Sequence, residues 1–254
     1  MPRMMVARVY PHEGHTASPL ENMMMGIHLR RYRFARDWLR RHLDGRPARI
    51  LDIACGSGFG SEILSELGTV LGVDIDEEAI AYARGRYAQE RVSFVVGDAN
   101  DQAFLASLGT FDAVVTSATM EHVANAENFL RWIRQALRPN GACVACFPSA
   151  ITMDWAAPHH KRDLSIAAAG ELFARCGLRV LERYHETHRL RLSQIKAEFR
   201  TNSTLPVPPL WNWIWYYLRH PHHFAIRLWQ ISPLGKGILF GDQDYLLVPQ
   251  ATAP

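Results

Sequence analysis

The chain has 254 residues, 48% of them hydrophobic, which is enough to bury a full core and suits one α/β body with an elaboration better than two independent domains. Its formal net charge is only +3 and the basic residues are spread along the chain, which excludes the concentrated positive face of a nucleic-acid binder. Four cysteines make no disulfide framework at this length, and the N-terminus has no apolar run of signal-peptide length, so an intracellular, cytoplasmic protein with reduced thiols is expected.

In chain order, residues 21–43 read as a basic amphipathic helix. Short apolar runs then alternate with amphipathic stretches, predicting strands at Arg49–Ala54, Thr69–Ile75, Val92–Val96, Phe111–Ser117 and Gly141–Phe147 with helices between them. Such alternation builds a parallel sheet with helices on both faces. A helix from near Ala126 is stopped by Leu137-Arg138-Pro139-Asn140-Gly141, where proline and glycine turn the chain into the fifth strand. Cys143 and Cys146 have CxxC spacing, but residues three apart on a strand point to opposite faces, so both are expected in the core and not on a zinc ion. Beyond lie a helix from Ser165, its cap, to Cys176, closed by Gly177, and a strand at Leu178–Tyr184. Residues 190–240 interrupt the sheet before a last strand at Tyr245–Val248. The division read from this is an arm and helical lid over 1–45, a core over 46–189, an aromatic-rich cap insertion over 190–240, and a final strand and tail over 241–254.

The strongest local signal is Ile50-Leu51-Asp52-Ile53-Ala54-Cys55-Gly56-Ser57-Gly58-Phe59-Gly60, a buried strand running into a glycine turn and a helix. Glycines there let the backbone approach a ligand, although dinucleotide-binding proteins share that feature. Asp52 separates the two cases, because a carboxylate at the tip of the first strand repels a pyrophosphate and suits a cationic ligand. Asp74 closes the second strand, where a carboxylate about 20 residues after the turn accepts hydrogen bonds from ribose hydroxyls. Gly97-Asp98-Ala99 ends the third strand with a carboxylate and an amide suited to an adenine edge.

With Met120-Glu121-His122-Val123 and Leu137-Arg138-Pro139-Asn140-Gly141, this ordered series resembles the class I S-adenosylmethionine (SAM) dependent methyltransferase superfamily, particularly its small-molecule branch, over roughly residues 25–185. The resemblance implies a Rossmann-like, doubly wound, seven-stranded and mostly parallel sheet with a reversed last hairpin, and SAM as cofactor. It implies that Asp52, Gly56 and Gly58 form the turn by the methionine moiety and that Asp74 holds the ribose. Ile75 is then expected against the adenine face, Asp98 and Ala99 at its edge, and Thr116 and Ser117 at the methionine end.

A sulfonium already activates the methyl group, so the protein must align an acceptor and, where needed, remove its proton. His122 is the first candidate base, with Glu121 beside it, because imidazole titrates near neutrality; the alternative is that His122 only positions its loop. Glu121-His122-Val123 also resembles the ubiquinone-pathway O-methyltransferases, in which a second glutamate three residues earlier helps to build a metal site. Ala118 stands there, so no metal is expected. Asp154, His159 and His160 follow the fifth strand and are candidates for binding the acceptor. The expected function is methyl transfer to a small-molecule, glycan or lipid-linked acceptor, first on oxygen; the alternatives are transfer to nitrogen or carbon, or a silent SAM-binding scaffold.

Residues 206–241 join Pro206, Pro208 and Pro209 to a tryptophan- and tyrosine-rich run with Arg219, Arg227 and Lys236. Two readings stand: a segment in contact with a membrane interface, or a folded cap that buries its aromatics over the sheet or in a homodimer. The cap is preferred, because aromatic side chains more often pack than face lipid.

Overall fold

The computed structural model describes residues 19–149, 164–191, 193–194, 210–219, 221–232, 234 and 238–250. The chain opens with α1 (Pro19–His42), β1 (Ala48–Ile53), α2 (Phe59–Leu64), β2 (Gly68–Asp74), α3 (Glu77–Tyr87) and β3 (Val92–Val96). It continues through α4 (Gln102–Ser107), β4 (Phe111–Ser117), α5 (Ala126–Ala136), β5 (Leu137–Pro148), α6 (Ile166–Arg175) and β6 (Leu178–Leu190). Two short helices, α7 (Leu210–Arg219) and α8 (Pro221–Ile231), precede β7 (Ile238–Pro249).

The strands lie in the order β3-β2-β1-β4-β5-β7-β6. β1 to β5 are parallel, and β7 runs antiparallel between β5 and β6. The order reverses between β1 and β4, which opens a crevice at the carboxyl ends of these strands, the usual place for a ligand in such a sheet. This is the seven-stranded, mostly parallel sheet expected from the sequence.

Helix starts are fixed locally: Asp76, Asp101, Asn125 and Ser165 each accept backbone N–H groups in the first turn of α3, α4, α5 and α6. Each cap is worth about 1 kcal/mol. On one face of the sheet Ala35, Leu39, Phe59, Ile80 and Phe94 pack with Ile50 and Val144. On the other, Leu105, Phe129, Ile133 and Phe173 pack with Leu51, Val114 and Cys143. Cys146 belongs to the first face, so the two cysteines of the CxxC spacing are divided between the layers, both buried and free.

Three expectations change. The helix expected to act as a lid is built into the core: Ala35 and Leu39 are fully buried, and Tyr32 and Trp38 nearly so. Strand β6 continues past Tyr184 to Leu190 and β7 begins at Ile238 instead of Tyr245. They pair with each other there, from Tyr184↔Asp244 to Leu190↔Ile238, so the ladder is satisfied without the apolar alternation that marks a half-buried strand. The aromatic segment leaves several of its described side chains out of the core, since Trp215 is 60% exposed, Leu218 67% and Trp229 53%.

Helix α1 is tied to the far end of the chain by Arg31, which is buried, donates to Asp242 and stands 3.8 Å from Asp244. Removing one member of a buried ion pair leaves the other charges uncompensated. Arg31→Met should therefore lower unfolding free energy by roughly 3–5 kcal/mol in urea titrations, and adding Asp242→Asn and Asp244→Asn should recover much of that loss. An unchanged midpoint in Arg31→Met would show that the ion pair does not hold α1 in place.

Candidate active site

The backbone between β1 and α2 is a tight turn. Ala54, Gly56 and Gly58 all have positive φ (63°, 55° and 88°), and the Cys55 amide donates to the Val73 carbonyl at 2.9 Å. Gly58 is the residue before α2, and a Cβ on it would meet the Ala83 side chain at 2.7 Å and the Phe94 ring at 2.9 Å. Its small size therefore lets α2 pack against α3 and β3, in addition to permitting the turn.

Asp74, at the end of β2, closes this turn from beneath. Its Oδ2 accepts the Gly56 amide at 2.8 Å and its Oδ1 accepts the Asp76 amide at 3.0 Å. Next to it the side chain of Ile75 is 60% exposed, an apolar shelf at the rim of the crevice. Asp98 and Ala99, after β3, are half-buried at the same edge, and Asp98 Oδ1 accepts both the amide and the Nδ2 of Asn100 at 2.8 Å.

Asp52 is not the open carboxylate suggested by its position in the sequence. It is completely buried, and its two oxygens accept the Tyr32 hydroxyl at 2.9 Å and the Ser61 hydroxyl at 2.7 Å. Burial pushes the carboxyl up from 3.8 to about 7, against the two hydrogen bonds and with the help of nearby Asp74. Because the folded group keeps its proton to higher pH than the unfolded one, its contribution to stability is complete below the unfolded value and is lost as pH rises through about 7.

At the end of β4, Thr116 and Ser117 are buried, and neither hydroxyl has a hydrogen-bond partner among the described residues. Such orphaned buried hydroxyls are uncommon and point to a ligand or water as the missing partner. Ala118 then takes a positive φ of 54° and donates its amide to the Cys146 carbonyl at 2.8 Å, turning the chain into the loop that carries Glu121 and His122. Glu121 is buried and His122 exposed. Asp154, His159 and His160 lie outside the described residues.

The sequence reading missed a polar cluster between α1 and the ribbon of β6 and β7. Asp242 receives Arg31 on one oxygen and stands 3.0 Å from His188 Nε2 on the other. Arg30 pairs with Glu186 at 2.6 Å and reaches the His188 ring at 3.2 Å. Burial favours the neutral acid at Asp242, but Arg31 and His188 hold it below the usual carboxylate range; burial leaves Asp244 above it. Burial, aided by Arg31, pushes the His28 imidazole down to about 3. Asp244 lies beside Cys146 in the sheet and Cys146 beside Ser117, so the cluster is two strands, about 10 Å, from the orphaned hydroxyls. The signal for it was weak: acids at alternate positions, Asp242 and Asp244, at the start of a buried strand.

No group of three or more His, Cys, Asp or Glu placed to hold a metal ion occurs among the described residues. A cavity of about 550 Å³ lies at the opposite, amino edge of the sheet, lined by Arg40, Arg49, Arg138, Glu66 and Asp112. Its two acids are already paired, Glu66 with Arg40 and Asp112 with Arg138.

Residues 51–145 match a methyltransferase domain. A protein of Mycolicibacterium smegmatis described as a probable S-adenosylmethionine-dependent methyltransferase is 29% identical over 178 residues, 63% of this chain and 66% of its own length. A ubiquinone biosynthesis O-methyltransferase of Caulobacter is 38% identical over 98 residues, 38% of this chain and 39% of that protein. The matched stretches thus span less than two thirds of the curated relatives. A SAM-dependent methyltransferase from Geobacter sulfurreducens, solved with S-adenosyl-L-homocysteine, shares the fold with a TM-score of 0.52 at 17% identity, over 84% of this chain and 90% of the other. The matched segment carries the glycine turn and the acids at the ends of β1, β2 and β3, and continues through β4 to β5, so residues 51–145 are similar in sequence to a methyltransferase domain and the chain shares its fold with solved SAM-dependent methyltransferases.

Proposed function

We propose that this protein transfers a methyl group from SAM to the oxygen of a small-molecule, glycan or lipid-linked acceptor. The observation that carries the reading is the pairing of Asp74 with the Gly56 amide beside an open Ile75, which puts an anionic hydrogen-bond acceptor and an apolar shelf at the reversal point of the sheet. The residues suit SAM. Asp74 would take the ribose hydroxyls, Ile75 one face of the adenine, and Asp98 with the Ala99 amide its edge. Gly56 and the hydroxyls of Thr116 and Ser117 would meet the methionine end, with Asp52 supplying negative potential from below. Bound SAM supplies an electrophilic methyl on a sulfonium.

The protein's own share is then to hold the acceptor and manage its proton. His122 is exposed on the loop after β4 and is the candidate to receive that proton. Glu121 is buried near Arg31, where burial works against the guanidinium's proton and Asp242, Asp244, Cys146 and last Glu121 favour it, and it serves to orient the loop. The relatives that methylate oxygen support an oxygen acceptor.

The direct test is incubation of the full chain with methyl-labelled SAM and fractionated cell extract. Label is expected in a small-molecule or lipid fraction, with S-adenosylhomocysteine released in equal amount; label in protein or nucleic acid, or none, would overturn the reading. Asp74→Ala should weaken SAM binding by ~1–3 kcal/mol, because neutral hydroxyls lose a charged acceptor. Calorimetry giving unchanged affinity in a folded variant would take Asp74 out of the site.

Asp52 makes a sharper prediction. With its carboxyl at about 7, a large fraction is protonated at neutral pH, and a cation bound above it favours the carboxylate. SAM binding should then release protons near pH 7, seen as a binding enthalpy that changes with the ionisation enthalpy of the buffer. Asp52→Asn should remove that dependence; if it persists unchanged, the proton comes from another group.

A further inference from the structure

The α7–α8 hairpin is the part of the molecule least explained by packing. The two helices meet through Tyr217 and Phe224, whose ring centroids are 5.3 Å apart, and α8 touches β7 with Gln230 buried. Beyond these contacts, Trp215, Leu218, Phe224, Ile226, Leu228 and Trp229 are each between 46% and 67% exposed. Apolar exposure on this scale, shared by two helices in contact, marks a surface that something covers.

Charge identifies the occupant. From Phe199 to Gly241 the sequence contains no Asp or Glu, although the whole chain has 25, and it carries Arg200, Arg219, Arg227 and Lys236. An isologous contact between two copies through this stretch would bring together two segments of like charge with no acid in either to offset it. An anionic lipid surface matches both properties, since tryptophan and aliphatic side chains settle at the level of the headgroups while cations meet lipid phosphate. The helices have 10 and 11 residues, half of what a bilayer-spanning helix needs, so they suit lying in the interface.

Topology says where such a surface would sit. Pairing of β5 with β7 ends at Pro148↔Asp242, but β6 and β7 go on pairing to Leu190↔Ile238, so their ribbon projects past the carboxyl edge of the sheet. The hairpin lies in the chain between those projecting ends, on the same edge as the glycine turn and the orphaned hydroxyls of β4. We infer that the α7–α8 hairpin docks this protein on an anionic lipid surface and so places its acceptor site beside a membrane-held, amphiphilic acceptor. The acceptor class rests on the proposed methyl transfer; the docking does not.

The test uses the full chain without SAM. Vesicles of phosphatidylcholine alone, or mixed with phosphatidylglycerol, are sedimented with the protein at low and at high salt. Co-sedimentation with the mixed vesicles alone, release at high salt and a blue shift of tryptophan emission are expected. Arg219→Glu should weaken binding to the mixed vesicles on the order of tenfold, and Trp215→Ser combined with Trp229→Ser should abolish both binding and blue shift. All variants should keep the far-UV spectrum and SAM affinity of the unaltered chain. Protein that stays in the supernatant with unchanged emission, or variants that bind as well as the unaltered chain, would overturn the docking, as would a dimer that the double serine variant splits while vesicles remain unbound. Vesicle binding without methyl transfer in any extract would instead sink the proposed reaction and leave the docking standing.

Discussion

A single buried carboxylate organises the glycine-turn end of the sheet. Asp52 sits on β1, and its two oxygens are held by Tyr32 from α1 and Ser61 from α2, so one side chain fixes both helices relative to the turn between β1 and α2. Gly60 makes this geometry available: a Cβ there would stand 2.1 Å from the Tyr32 ring. Burying a carboxylate is costly unless it is well bonded, and a value pushed up to about 7 means that two hydroxyl donors recover only part of what water gave. The remaining cost falls as pH drops and the carboxyl takes up its proton, or where positive charge is brought close to it.

The same helix carries a second constraint. One helical turn of α1 supplies Tyr32 to Asp52 and Arg31 to Asp242 and Asp244, so α1 connects the glycine turn with β7. A buried ion pair adds little stability over an apolar contact of the same shape, but any other seating of α1 would leave several charges unpaired and buried. That penalty fixes the register of α1 on the sheet. It works because β7 is antiparallel, which brings acids from near the end of the chain to the carboxyl edge of β5.

Two parallel strands were legible from their short apolar runs, the central β4 buried on both faces and the edge strand β3 on one. Val92–Val96 and Phe111–Ser117 are observed with the bounds expected from their apolar runs, and Ser165 caps α6 as its residue type requires. Glu186, Thr187 and His188 gave no strand signal, since their pairing partners are backbone groups of β7 and only part of their side-chain surface is covered. Asp74 and Ile75 were legible because strand end and turn are close in sequence, so spacing alone places the carboxylate against the Gly56 amide.

What the sequence determined by itself was therefore local: a strand, a glycine turn and an ordered series of acids, each within a few tens of residues of its partners. Tertiary structure decided whether those groups are open or enclosed. It buried Asp52, filled the space beside Gly58 with Phe94, left Trp215 and Trp229 more than half exposed, and joined Arg31 to Asp242 across 211 positions. Burial and long-range pairing follow from how α1 and β7 pack on a completed sheet, and residue periodicity carries no information about contacts that distant.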